Sequence, residues 1–249
     1  MILPLSAIWG GGVTDYRAGN AQRFDGVFDY DAPNLPSTGF FTAAGEFSIL
    51  LDINPVLGAT SWLLDYGRWG GAAVSNQRGL SIVLLATGEI AFRLRDEILQ
   101  RTYFDTVETL NTGVPNIVII TKTAGMAAGD FTVYINGVES TKTSIISDAT
   151  NDIDISSTPN SRIGARYNGS EFDGKMKQFE IIDRVATAGE IADASANFSF
   201  RGAGIAHNSG DYQLAIDFDK VTGQDPTTYT DTPAYTITGV GGTTFETYL

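Results

Sequence analysis

The 249-residue chain has no cysteine. Disulfides and thiolate metal sites are thereby excluded, and the fold must be held by packing alone. There is one histidine, His207, in the glycine-flanked stretch GAGIAHNSG. Transition-metal centres usually draw on several His or Cys ligands. A Ser-His-Asp triad would have to use His207, yet no G-x-S-x-G elbow is present. Basic residues are scarce as well: 16 Lys and Arg stand against 29 Asp and Glu, a formal net charge of −13. Phosphate binding needs clustered Lys and Arg, so this balance speaks against nucleic acid or an anionic membrane as partner. No apolar run approaches the ~18 residues of a membrane span. NIVII (116–120) and SIVLLA (81–86) are strand-length. The opening MILPLSAIWGGG carries no Lys or Arg before Arg17, which makes it a poor secretory signal.

What the chain does have is alternation with a period of two. In EIAFRLR (89–95), Ile90, Phe92 and Leu94 share one face while Glu89, Arg93 and Arg95 share the other. In FTVYI (131–135), Phe131, Val133 and Ile135 point one way, with Thr132 and Tyr134 opposite. Similar runs occur at 46–53, 61–66, 79–85, 115–121, 175–182 and 212–219, separated by turn signals such as Thr87-Gly88, Asn136-Gly137 and Asp173-Gly174. Many short strands with frequent turns predict an all-β protein, a two-sheet antiparallel jelly-roll sandwich. One helix interrupts the pattern. Thr187 and Glu190 have the spacing of a capping box and predict roughly two turns near 188–195.

Four stretches carry a family resemblance, in order: AQRFDGVFDYD (21–31), GEFSILLDINP (45–55), DFTVYINGVES (130–140) and RIGARYNGSEFDGKMKQFEIIDRVATAGEI (162–191). Together they resemble the laminin-G-like branch of the concanavalin A-like lectin/glucanase superfamily over roughly residues 20–195. The chain departs from that family at Ala186, where a larger aliphatic residue is usual, so looser helix packing is expected there. The resemblance implies two antiparallel sheets, one concave and often used to bind glycans or proteins. Some relatives bind calcium, and a separate branch hydrolyses β-glucans. Three segments are expected: an N-terminal arm or anchor (1–19), the sandwich (20–195), and a C-terminal β extension or small lobe (196–249).

Calcium takes oxygen ligands only, and Asp25, Asp29 and Asp31 alternate in a short acidic stretch that could supply them, with Asp173 or Asp219 approaching from elsewhere. No other cofactor is expected. A glycan platform needs exposed aromatics flanked by polar groups. Trp69, in a glycine-flanked loop, is the leading candidate, with Tyr66, Arg68 and Asn76 beside it. Trp62 is expected in the core, because Leu64 shares its face. Trp and Arg serve equally well as anchors at protein contacts. The glucanase pattern implied by the resemblance, acidic residues at alternating positions of one strand, is missing. Glu46 and Asp52 lie six residues apart, and 175–182 offers only Glu180.

These features favour a non-enzymatic structural component of a bacteriophage particle, such as a decoration, head-fibre or tail-adhesion protein. Virion proteins need neither a secretion signal nor cysteine. Ile2, Leu3, Leu5, Ile8 and Trp9 would then anchor the chain against other virion proteins or its own copies. The alternative is a carbohydrate-binding adhesin that meets a host surface glycan. A glucanase-like hydrolase ranks behind both.

Overall fold

The structure of the protein is a computed structural model. It describes residues 20–25, 30–33, 42–68, 78–95, 100–152, 162–166, 170–200, 212–217, 229–231, 235–240 and 244–247. The alternating stretches form strands. In chain order they begin with β1 (Asn20–Asp25), β2 (Tyr30–Pro33), β3 (Phe47–Pro55), β4 (Ser61–Arg68), β5 (Arg78–Leu84), β6 (Glu89–Arg95), β7 (Arg101–Thr109) and β8 (Asn116–Lys122). There follow β9 (Phe131–Ile135), β10 (Val138–Glu139), β11 (Lys142–Ser147), β12 (Arg162–Ile163), β13 (Asp173–Ile182), β14 (Tyr212–Asp217), β15 (Tyr229–Asp231), β16 (Tyr235–Val240) and β17 (Thr244–Thr247).

Two antiparallel sheets result. The eight-stranded sheet runs β10-β9-β8-β3-β13-β1-β17, with β14 also paired to β13. The nine-stranded sheet runs β11-β7-β6-β5-β4-β12-β2-β16-β15. Strands from the C-terminal segment enter both sheets: β14 lies along residues 178–182 of β13, β17 along β1, and β16 along β2. The β9–β10 hairpin turns on Asn136 (φ 51°) and Gly137 (φ 83°). Consecutive positive φ values are what a tight hairpin needs and what Asn-Gly tolerates.

Between the sheets lies the main core. Phe92 stacks on Phe104 with ring centroids 4.9 Å apart, and Phe131 of the opposite sheet reaches Phe92 at 4.5 Å. Alternation explains which residues arrive here: Ile49, Leu51 and Ile53 of β3 face Leu80, Ile82 and Leu84 of β5 within one cluster. The phase of β13 changes once. A register shift between Met176 and Gln178 lets Met176, Phe179 and Ile181 all join the core despite their uneven spacing.

The eight-stranded sheet carries apolar residues on its other face too. Leu50, Ile117, Ile119 and Ile182 point away from the main core and would meet water if nothing lay over them. The helix α1 (Ala188–Asn197) covers them, adding Ile191 and Ala194, with Ala186 before it and Phe200 after it. Each Leu or Ile buried in this way contributes roughly 1.5–3 kcal/mol. Ala186 is 3% exposed within this second core.

Both ends of the helix are tied to the sheet. At the start, Thr187 Oγ1 accepts from the Glu190 N–H and Glu190 Oε2 accepts from the Thr187 N–H (2.8 Å), so the capping box forms. The Arg184 guanidinium donates to both Glu190 oxygens, at 2.7 and 2.8 Å. The buried Ser48 hydroxyl of β3 donates to the Arg184 carbonyl (2.9 Å) and accepts from the Ala186 N–H (2.8 Å). At the other end Phe198 adopts φ 65°, which turns the chain back, and the Phe200 N–H donates to buried Glu180 Oε2 at 2.7 Å. A left-handed phenylalanine costs about 1–2 kcal/mol, and its packing against the second core offsets this.

The Arg184 hydrogen bonds hold Glu190 well below the ordinary carboxylate value of 4.5, at about 2, aided by the Thr187 N–H. A depressed folded value means that the ionised form is favoured by folding. This contribution is complete above pH 4.5 and is lost as the pH falls through about 2. Urea denaturation of the wild type should therefore lose stability over this window, and Glu190→Gln should show a smaller loss across it. Equal slopes for the two proteins would show that the clamp adds nothing.

Candidate functional site

With α1 over the eight-stranded sheet, the outer face of the nine-stranded sheet is where the polar side chains gather. Register defines it. One row across β4–β7 is Asp65, Ser81, Arg93 and Tyr103, with Arg162 of β12 beside Asp65 and Ile146 of β11 beside Tyr103. The row on one side is Gly67, Gly79, Arg95 and Arg101, and that on the other ends in Ala91 and Asp105. All stand opposite Leu64, Ile82, Phe92 and Phe104, whose side chains fill the core.

Several of these groups are held in place. Arg93 donates to the carbonyls of Phe92 (2.9 Å) and Phe104 (2.8 Å) and pairs with Asp105. Ser81 donates to Asp65 Oδ1 at 3.0 Å, both side chains being buried. The Tyr103 ring has the Arg93 guanidinium 5.5 Å from its centroid and that of Arg101 at 5.8 Å. Arg166 lies 5.0 Å from the centroid of Trp62. Such cation–π contacts contribute about 0.5–2 kcal/mol each and hold a guanidinium near a ring.

Trp62 reaches this face because β4 is irregular. Its pairing with β5 shifts between Trp62 and Leu64, so Leu63 and Leu64 are both buried in the core and Trp62 stands on the opposite side, partly exposed. The expectation of a core Trp62 is therefore corrected. The same shift decides Tyr66, which follows Leu64 by two residues and points inward. It is 1% exposed, and burial pushes its hydroxyl pKa well up. Tyr66 cannot present its ring to a ligand, and its place as an exposed aromatic is corrected too.

The other candidates fall as follows. Arg68 ends β4 opposite Arg78. Trp69 and Asn76 lie outside the described residues, as do Ile2, Leu3, Leu5, Ile8 and Trp9. Of the proposed calcium ligands, Asp29 is also outside them, while Asp25 and Asp31 belong to different sheets, on β1 and β2. Asp25 pairs in register with Asp173. No group of three or more potential metal ligands occurs among the described residues. Glu46 is exposed and Asp52 is fully buried on β3. Six residues of extended chain separate them by about 20 Å, far beyond the roughly 5–9.5 Å of a glycosidase pair. The residues not singled out beforehand are Arg93, Arg101, Tyr103 and Arg166. Alternation in RTYFD (101–105) already puts Arg101, Tyr103 and Asp105 on one face.

This architecture has a family. A profile of the concanavalin A-like lectin/glucanases superfamily, of laminin G type, matches residues 61–192, over half of the chain, and the chain belongs to that superfamily. Among solved structures, a Bacteroides ovatus protein to which carbohydrate binding is ascribed superposes with a TM-score of 0.67 at 14% identity, over 92% of this chain and 60% of its own. The K499G mutant of NanB sialidase from Streptococcus pneumoniae gives 0.50 at 13% identity, over 72% of this chain and 28% of its own. Domain 4 of AbnA, a Geobacillus stearothermophilus arabinanase, in complex with arabinotriose gives 0.48 at 16% identity, over 70% and 76%. Likeness at these identities is likeness of fold. Comparison with curated proteins finds no match. No helix among the described residues is long and apolar enough to cross a membrane.

If Arg166 covers Trp62, removing it should bare the indole. With Trp9 and Trp69 replaced by Phe, leaving Trp62 as the single tryptophan, Arg166→Ala is expected to red-shift the emission and increase acrylamide quenching. Unchanged spectra would show that Arg166 does not shield the ring.

Proposed function

We propose that the chain is a non-catalytic carbohydrate-binding module whose ligand lies across the outer face of the nine-stranded sheet. One observation carries this reading: two partly exposed aromatic rings, Trp62 and Tyr103, stand on the outer face of the nine-stranded sheet, Trp62 beside the Arg166 guanidinium and Tyr103 beside those of Arg93 and Arg101. Sugars combine apolar C–H faces, which stack on aromatic rings, with hydroxyls that need fixed donors and acceptors. Arg93, locked by two carbonyls and Asp105, supplies a fixed donor edge. The superfamily membership and the fold shared with the Bacteroides protein support the same reading. So does the separation of Glu46 and Asp52, about 20 Å along extended chain, which is too wide for these two to act as a glycosidase pair.

A glycan array followed by calorimetry tests this. The wild type is expected to bind, and Trp62→Ala and Tyr103→Ala are each expected to weaken binding by roughly tenfold, about 1.4 kcal/mol, with unchanged melting temperatures. A wild type that binds no glycan, or alanine variants that bind as well as it does, would overturn the reading.

A second reading, a structural component of a bacteriophage particle, rests on the lack of cysteine and on the apolar segment before Arg17. It treats the sandwich as a scaffold and Ile2, Leu3, Leu5, Ile8 and Trp9 as its anchor. The oligomeric mass of the full chain, compared with a version lacking residues 1–10, distinguishes it. Assembly lost on truncation supports the anchor, and two monomers would remove it.

A further inference from the structure

We infer that the glycan face selects acidic sugars, with the Arg101 guanidinium receiving a sugar carboxylate beside the Tyr103 ring. The inference rests on the carbohydrate-binding reading and adds the chemical class of the ligand.

Charge placement is the starting point. The whole chain carries −13, with only 16 basic residues. Yet strand register sets Arg93, Arg95, Arg101 and Arg162 on one face of one sheet, and Arg166 lies against Trp62 on that face. In the rows between these residues the carboxylates are Asp65, which accepts from Ser81, and Asp105, which pairs with Arg93. Guanidinium groups gathered on one face of an otherwise acidic protein make that face less repulsive to an anion than the rest of the surface.

Arg101 is the member available to a ligand. Its guanidinium lies over the Tyr103 ring, 5.8 Å from the centroid; the residue is half-buried and forms no ion pair with any carboxylate of the described residues. Asp148 is close, but its Oδ1 accepts from the backbone N–H of Arg101 and not from the side chain. Arg93, on the other side of the ring, is already engaged by Asp105 and two carbonyls. The contact with Tyr103 restricts where the Arg101 side chain can swing, and its planar fork matches the two oxygens of a carboxylate. A guanidinium that forms no ion pair also matches a single negative charge. Uronic acids and sialic acids both carry such a carboxylate next to a sugar ring.

Matched pairs decide the matter on the full-length protein. Calorimetry compares a glucuronate-containing disaccharide with its glucose counterpart, sialyllactose with lactose, and a sulfated disaccharide with its unsulfated form, at low and high salt. The expected result is that one carboxylate-bearing member binds roughly tenfold or more tightly than its neutral partner, as a charged hydrogen-bonded contact provides. Which pair shows it identifies uronate or sialate as the source. The preference should vanish in Arg101→Gln, persist in weakened form in Arg101→Lys, and shrink at high salt, while residual binding to the neutral partner remains. Equal binding of charged and neutral partners by the wild type would overturn the acidic preference and leave the carbohydrate-binding reading standing. Preference for the sulfated sugar, or a preference that survives Arg101→Gln, would overturn the assignment to a carboxylate at Arg101. Absence of binding to every sugar would overturn the underlying reading as well.

Discussion

Three central strands of the eight-stranded sheet, β3, β8 and β13, are buried on both faces, and much of the remaining structure follows from covering them twice. The nine-stranded sheet covers one face through the Phe92, Phe104 and Phe131 contacts. The other face needs a separate cover, and the ten-residue helix α1 provides it with Ile191, Ala194 and their neighbours. So short a helix is marginal in isolation. It persists because Ser48 and Glu180, buried polar groups of the sheet, hold its two ends.

With that sheet covered twice, the proposed ligand-facing surface lies on the opposite sheet. There the outward residues are mostly polar or aromatic: arginines, aspartates, Tyr103 and Trp62 alternate with core residues along β4, β6 and β7. Because β4–β7 are consecutive antiparallel strands, residues distant in the chain, such as Asp65 and Tyr103, fall into one row. Backbone carbonyls of Phe92 and Phe104 then fix Arg93, so the polar face is as rigid as the ladder beneath it. A preorganised surface of this kind binds without a large ordering cost.

Charge on this protein is a matter of position more than of sum. A net −13 argues against nucleic acid as a partner, and it conceals a face that gathers Arg93, Arg95, Arg101, Arg162 and Arg166 with Trp62 and Tyr103. Sequence counting averages over the whole surface, whereas a ligand meets one face of one sheet. Electrostatic attraction within a Debye length depends on that local arrangement.

Much of the fold was legible because its signals are local. The alternation at 89–95 and 131–135, the Asn136-Gly137 hairpin and the Thr187–Glu190 cap each depend on a few neighbouring residues, and each formed as their chemistry requires. The candidate site was legible only in part. Reading 61–66 as an unbroken alternation put Trp62 in the core, yet carried onward from Leu64 the same alternation already turns Tyr66 inward. The irregularity at Leu63 that frees Trp62 exists only in the pairing of β4 with β5. By itself the sequence determined which segments are strands and which of their faces are apolar. Only the tertiary structure decided which aromatic ring stands outside and which arginines share a surface, because a β-bulge and a strand register are properties of two chains of backbone hydrogen bonds meeting, and neither is encoded in one strand alone.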